Sequence, residues 1–392
     1  MSTGTRSVRW ACIALLALAG CALPLAPPAP EPLLAPHLRL IGVAELSSGS
    51  EYGGTTIGGF SGIDYDAQQD AYLLISDTRQ THVYTARLRY DAHGLSAPQF
   101  SSVHALRHAS GQPFAPWWRL QPGMDRPDAE ALRWLPGTAG FLWTSEGDFS
   151  RGFGPQLRES RLDGTHVRDI PLPAGFTPRP RRGPRPNGTL EGLTLSPDGH
   201  SAWLAMELPW RQDGKQATPT SGGAPVRITQ IDIASGRPLR QIAYQPDAVP
   251  RTRALPGPQI NGVSEILADG PHHLLVLERA YSAGAGFGAR LYRIDTRQGS
   301  DTLALNALRP ANHRPSPKTL VADLAALGTA VDNIEGMTWG PPLQDGARGS
   351  GCVLVFVSDD NFNPAQVTQF IAAEYLPLRG GHERCATTGA AP

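Results

Sequence analysis

Five times along the chain a small or acidic residue opens an apolar stretch, and a second acid closes the apolar run that follows. The openings are Ser61-Gly62-Ile63, Glu130-Ala131-Leu132, Glu191-Gly192-Leu193, Glu265-Ile266-Leu267 and Glu335-Gly336-Met337. The closing acids are Asp77, Glu146, Glu207, Glu278 and Asp359, each behind a run such as Phe141-Leu142-Trp143-Thr144-Ser145. Opening and closing residues stand 16 apart in the first three units, 13 in the fourth and 24 in the fifth. In a repeat fold, equivalent positions of successive units converge, so both sets are expected at one rim. Carboxylates crowded in that way repel one another and resist ionisation unless a cation compensates them. Calcium suits the role, because it accepts about six to eight oxygens in irregular geometry. The expected ligands are Glu130, Glu191, Glu265, Glu335, Asp77, Glu146, Glu207, Glu278 and Asp359. Asn187-Gly188, Asn261-Gly262, Asp332-Asn333 and Asp359-Asp360-Asn361 supply further carbonyls and tight turns beside them.

A purely structural use of the same acids stays open: they can accept hydrogen bonds from backbone amides or pair with arginines that hold the units together. Arg79, Arg151, Arg211 and Arg279 follow the closing acids in four units and would neutralise part of the charge. Those arginines are equally suited to bidentate contact with a phosphate or carboxylate ligand, and are the expected substrate-binding residues. Residues 177–186, a proline-rich loop with four arginines, lead into Asn187 and Glu191 and form the segment best able to attract an anion. Residues 284–288 read as a hairpin loop, since a phosphate cradle needs a helix after it and here a strand follows. No Gly-x-Ser-x-Gly elbow, His-Glu-x-x-His pair or Walker loop occurs.

The elements that must position these residues are strands. Short apolar runs bounded by Gly, Pro, Asp and Asn dominate, with 43 Gly and 37 Pro among 392 residues. Helical periodicity is confined to Leu320–Leu327. A third strand completes each unit, at 83–90, 157–162, 227–233, 290–294 and 368–375, and successive openings lie 69, 61, 74 and 70 residues apart. Antiparallel units of three to four strands at that period are propeller blades. The fold class is therefore an all-β propeller, with six blades expected if one degenerate blade lies in the longer spacers and five as the alternative. The early strand Leu38–Leu46 has no unit of its own and suits closure against the last blade.

The N-terminus carries Arg6 and Arg9, then an apolar run over 10–19, the layout of a secretory signal. Its end, Leu18-Ala19-Gly20-Cys21, resembles the lipobox of bacterial lipoproteins. That resemblance implies cleavage before Cys21 and a lipid on its sulfur; a plain signal peptide is the alternative. Ala22 follows the cysteine, so in a Gram-negative cell the expected place is the outer membrane, facing the periplasm. The expected organisation is a signal over 1–20, a Pro/Ala-rich tether over 21–36, the propeller over 37–378 and a tail over 379–392. Cys352 and Cys385 are then the remaining pair and are expected to form a disulfide in an oxidising compartment. A formal net charge of zero gives no bulk attraction to nucleic acid, leaving a lipid anchor as the expected membrane contact and a monomer as the expected state.

Asn187-Gly188-Thr189-Leu190-Glu191-Gly192-Leu193 and Asp332-Asn333-Ile334-Glu335-Gly336-Met337, with Gly59-Phe60-Ser61-Gly62-Ile63 and Ser358-Asp359-Asp360-Asn361, resemble the phytase-like propeller family labelled "esterase-like activity of phytase". The resemblance covers about residues 38–376 and implies export and a calcium-bridged site for phosphate esters. Glu191, Glu335 and Asp359 are the expected catalytic carboxylates, and a small anionic molecule, such as a phosphomonoester or phosphodiester, is the expected substrate. Only Lys215 and Lys318 are lysines, which argues against the lysine-rich clamp of a phytase. A non-catalytic propeller that binds or scaffolds in the cell envelope is the alternative reading.

Overall fold

The computed structural model describes Met1 and residues 34–78, 80–114, 124–343 and 351–376. All the strands lie in the unit Leu33–Pro392. Cys21, Arg79 and Cys385 lie outside the described residues, as do most of the leader, the tether and the tail.

Runs rich in Leu, Ile, Val and aromatics are buried on both faces and pair as five four-stranded antiparallel sheets. Blade 1 is Phe60–Asp66, Ala71–Ser76, His82–Arg87 and Gln99–Ala105. Blade 2 is Ala129–Trp134, Gly140–Ser145, Gln156–Arg161 and His166–Ile170. Blade 3 is Leu190–Leu195, Ser201–Met206, Val226–Asp232 and Pro238–Tyr244. Blade 4 has the longest strands, Gln259–Ala268, His273–Ser282 and Gly286–Asp295, with Lys318–Asp323 outermost. Blade 5 is Ile334–Gly340, Val353–Ser358 and Thr368–Tyr375, and Leu38–Leu46 adds its outer strand, pairing antiparallel with Thr368–Tyr375. Closure therefore joins the two ends of the domain, as the unpaired early strand suggested.

The described residues form five blades, not six. The long spacer within blade 4, between Asp295 and Lys318, forms no blade because it runs along the outer edge of blade 3. Thr302 donates its amide to Gln241 O at 2.7 Å and Ser316 donates to Ala243 O at 2.9 Å. The segment thus covers an edge that would otherwise present unpaired backbone groups. The helical expectation for Leu320–Leu327 also fails. Its first half is the strand Lys318–Asp323, and Leu324–Leu327 is a single 3-10 turn, capped by Asp323 and stopped at Gly328 (φ 81°). No α-helix occurs among the described residues.

The first strand of each blade packs against the first strands of its two neighbours, closing a ring about the axis. Their approach explains the recurring glycine. A Cβ on Gly62 would lie 2.8 Å from Glu130 O, one on Gly192 3.0 Å from Ile266 N, and one on Gly336 3.1 Å from Ile63 N. Every first strand also breaks register at the same place, between Phe60 and Gly62, Ala129 and Leu132, Leu190 and Gly192, Val263 and Glu265, and Ile334 and Gly336. Such a bulge inserts one residue and re-aims its side chain. Between blades, buried side chains such as Leu277, Met337 and Phe356 form the core, each contributing about 1.5–3 kcal/mol when fully buried.

Candidate metal and phosphate site

The bulges put Ser61, Glu130, Glu191 and Glu335 at one mouth of the ring, and the strands beside them end there on Asp77, Glu146, Glu207 and Asp359. Asp128, Glu130 and Glu146 each offer an oxygen within 4.8 Å of the others', and so do Glu146, Glu191 and Glu207; Glu146 belongs to both triads. Asp128 was not anticipated, because it lies before the repeated opening. Its signal is its place two residues ahead of Glu130, inside the turn entering blade 2.

Burial dominates the electrostatics of this cluster. Glu130, Glu191, Asp77 and Asp359 are held well above the carboxylate range by desolvation first and by neighbouring acids second. Glu146 is pushed up to about 8 by burial and then by Glu207, against the amides of Gly188 and Thr189. Glu207 reaches about 7, burial outweighing the nearby Arg279. Asp128 is raised by burial against the pull of Arg126, and Glu335 by burial against the pull of Arg279.

Some of these carboxylates have structural partners. Glu146 Oε1 accepts from Gly188 N at 2.6 Å and Thr189 N at 2.5 Å, tying blade 2 to the turn entering blade 3, where Asn187 takes φ 47°. Asp359 Oδ1 accepts from Asn361 N at 2.6 Å, and Asn333 donates to Glu335 Oε1 at 2.8 Å. Glu130 and Glu191 differ. They are only 8% and 6% exposed, yet no hydrogen bond or ion pair engages either carboxylate among the described residues. Nearby, Asn333 Oδ1 and Asp77 Oδ1 are buried without a donor. An oxygen-rich, under-compensated cavity of this kind fits a hard cation such as calcium.

Blade 4 departs from the expected pattern, and the register gives the reason. Val263 pairs with Glu278 where Phe60 pairs with Ser76, so the bulged residue is Ser264 and the counterpart of Asp77 is Arg279. A one-residue offset turns a strand's side chains to the opposite face. Glu278 consequently points away from the mouth, accepting from Tyr244 Oη at 2.5 Å and pairing with Lys318 Nζ at 2.6 Å. Glu265 occupies the glycine position and lies deeper, 2.8 Å from Arg133 Nη2, with Leu193 N and Ile266 N donating to it. Arg133 also donates to the carbonyls of Ile63, Leu132, Ile266 and Met337, stapling blades 1, 2, 4 and 5 at the axis. Neither Glu265 nor Glu278 belongs to the acidic mouth. The fourth spacing of 13, against 16 in the first three units, was the trace of this offset.

Of the arginines, Arg279 enters the mouth, 3.2 Å from Glu335 and 3.4 Å from Glu207. Burial disfavours its charge, but Glu207, Glu335, Glu191 and Glu130 outweigh that and raise its pKa. Arg151 pairs with Asp148 at 3.3 Å in the Phe149–Arg151 turn just above the rim. Arg211 lines a separate cleft. Arg126, unanticipated, lines a pocket of about 380 Å³ with Asp128, Asp148 and Asn187, giving the acidic mouth an exposed guanidinium.

Fold and mouth together define an all-β five-bladed propeller with a polar, acid-lined axial site. The chain belongs to the phytase-like family described as "esterase-like activity of phytase", whose model matches residues 55–362. No curated protein matches the chain. Among solved structures it is similar to Kuenenia stuttgartiensis hydrazine synthase, at 11% identity and TM-score 0.36 over 85% of this chain and 68% of that one. It is also similar to the Dos1 propeller, at 6% identity and TM-score 0.32 over 80% of this chain and 68% of that one.

Proposed function

We propose that this protein is a calcium-dependent hydrolase of phosphate esters, exported and held in the cell envelope by a lipid on Cys21. The observation that carries the reading is the pair of buried, unpartnered glutamates, Glu130 and Glu191, each in a carboxylate triad with the shared Glu146. Asp128, Glu130, Glu146, Glu191 and Glu207 would hold the cation. Bound there, calcium would offset phosphate charge and lower the pKa of a water. The chain's own residues do the remainder. Arg126 and Arg279 present guanidinium groups to phosphate oxygens, the geometry that arginine favours. Outside both triads, Glu335, beside Arg279, would accept the proton of the attacking water as its oxygen bonds to phosphorus, and Asp359, whose protonated form burial favours, would give a proton to the alcohol oxygen as its bond to phosphorus breaks. Arg133 and Glu265, paired at the axis beneath, hold the inner strands in place below the mouth.

A second reading, a non-catalytic envelope-binding propeller, draws on Arg279, whose two ion pairs already neutralise part of the mouth. Purified protein screened with calcium against phosphomonoesters and phosphodiesters separates the two. Turnover that disappears in Glu191→Gln supports hydrolysis; no turnover above that variant rejects it. Replacing Cys21 with Ser should release the protein from the membrane fraction, and unchanged membrane association would reject the anchor.

A further inference from the structure

Beside the acidic mouth lies a second cavity, a cleft of about 530 Å³ lined by Phe149, Phe153, Phe176, Pro178, Arg179 and Arg211 among others. Topology places it at the same rim. Phe149 and Phe153 follow the closing acid Glu146 directly, and the 176–180 segment leads to Gly188 and Thr189, whose amides bind Glu146. Phe149 lines both this cleft and the pocket containing Asp128, so the two cavities are adjacent and share a wall. The cleft wall is well supported: Phe176 packs edge-on against Trp210 at 5.5 Å, and a Cβ on Gly154 would meet Pro178 Cδ at 2.7 Å.

Its chemistry is apolar and cationic. Among the described residues, no hydrogen bond or ion pair engages the side chains of Arg179 or Arg211. Arg211 is half-buried beside Arg185, whose pKa is lowered by burial and then by Arg211 itself. Arg185 cannot relieve the repulsion, since it spends its donors on the carbonyls of Pro209 and Gly214. A half-buried guanidinium beside a second one, with no ion pair among the described residues, is complemented by an anion.

We infer that the cleft seats the alcohol portion of the substrate, and that the preferred esters carry an aromatic ring with a second anionic group, the ring against Phe149 and Phe153 and the anion on Arg211. This inference rests on the phosphate-ester reading of the mouth. Three probes separate its parts: glycerol phosphate (neither feature), phenyl phosphate (ring alone) and 4-carboxyphenyl phosphate (ring and anion). Calorimetric titration with calcium present should give affinities rising in that order, by about tenfold at each step. Arg211→Gln should erase the second step and spare the first, and Arg211→Lys should restore part of it. Equal affinity for all three esters, or no binding of any, overturns the inference. The binding order without turnover leaves the cleft assignment standing and defeats the hydrolase reading. Turnover without the order does the reverse.

Discussion

Arg279 lies 3.2 Å from Glu335, at the strand position where the other four blades place Asp77, Glu146, Glu207 and Asp359. One blade thus supplies a fixed cation to a mouth that is otherwise acidic. Removing it with Arg279→Gln leaves Glu335 and Glu207 buried without their partner, a change that costs about 3–5 kcal/mol in comparable buried pairs. Because the lost charge is positive, calcium should restore more stability to Arg279→Gln than it gives wild type. Denaturant melts with calcium and with chelator measure the difference; equal calcium effects on both proteins would show that Arg279 and the metal do not share these acids.

Stability without metal should fall as pH rises. In the folded protein burial pushes Glu146 up to about 8 and Glu207 up to about 7, against 4.5 for an unperturbed glutamate. Between those limits the folded state binds more protons than the unfolded one, so stability from these groups is full below 4.5 and is lost as pH climbs through about 7 and 8. Chelated protein should therefore melt at a lower temperature at pH 8 than at pH 5.5. Calcium, which binds the ionised form, should flatten or invert the slope. A chelated protein whose melting temperature rises over that window would contradict the assignment of raised carboxyls.

Much of this was legible from the chain. The Glu-Gly-apolar repeat marks a bulged inner strand packed too closely for a Cβ on the glycine, and a regular 16-residue spacing locates three opening and three closing positions correctly. The fourth unit was misread because an acid happens to stand at the glycine position, Glu265, while the bulged residue is the neutral Ser264. Composition alone cannot tell which of two adjacent residues faces the axis; the strand register decides it. Blade count was ambiguous for a different reason: a long spacer can pack along an edge, as residues 296–317 do against blade 3. Asp128 and Arg126 sit in a turn outside the repeat, where periodicity carries no information.

The corrected register separates acids that face the cation from acids that do not. Glu191→Gln and Glu130→Gln should each weaken calcium binding by an order of magnitude or more, through the loss of a ligand oxygen. Glu265→Gln should leave calcium affinity within about twofold while lowering the melting temperature, since it breaks the axial pair with Arg133. Glu278→Gln should behave like Glu265→Gln. Calorimetric titration of the four variants checks this, and a large loss of calcium affinity in Glu265→Gln would return that residue to the mouth.

The most direct measurement is the thermal melt of wild-type protein in excess calcium and in chelator, near neutral pH. A ligand that binds only the folded state at a hundred times its dissociation constant stabilises by about 2.7 kcal/mol. A clear rise in melting temperature with calcium, lost in Glu191→Gln, is the expected result. A wild-type melt indifferent to calcium would contradict the metal site at the propeller mouth.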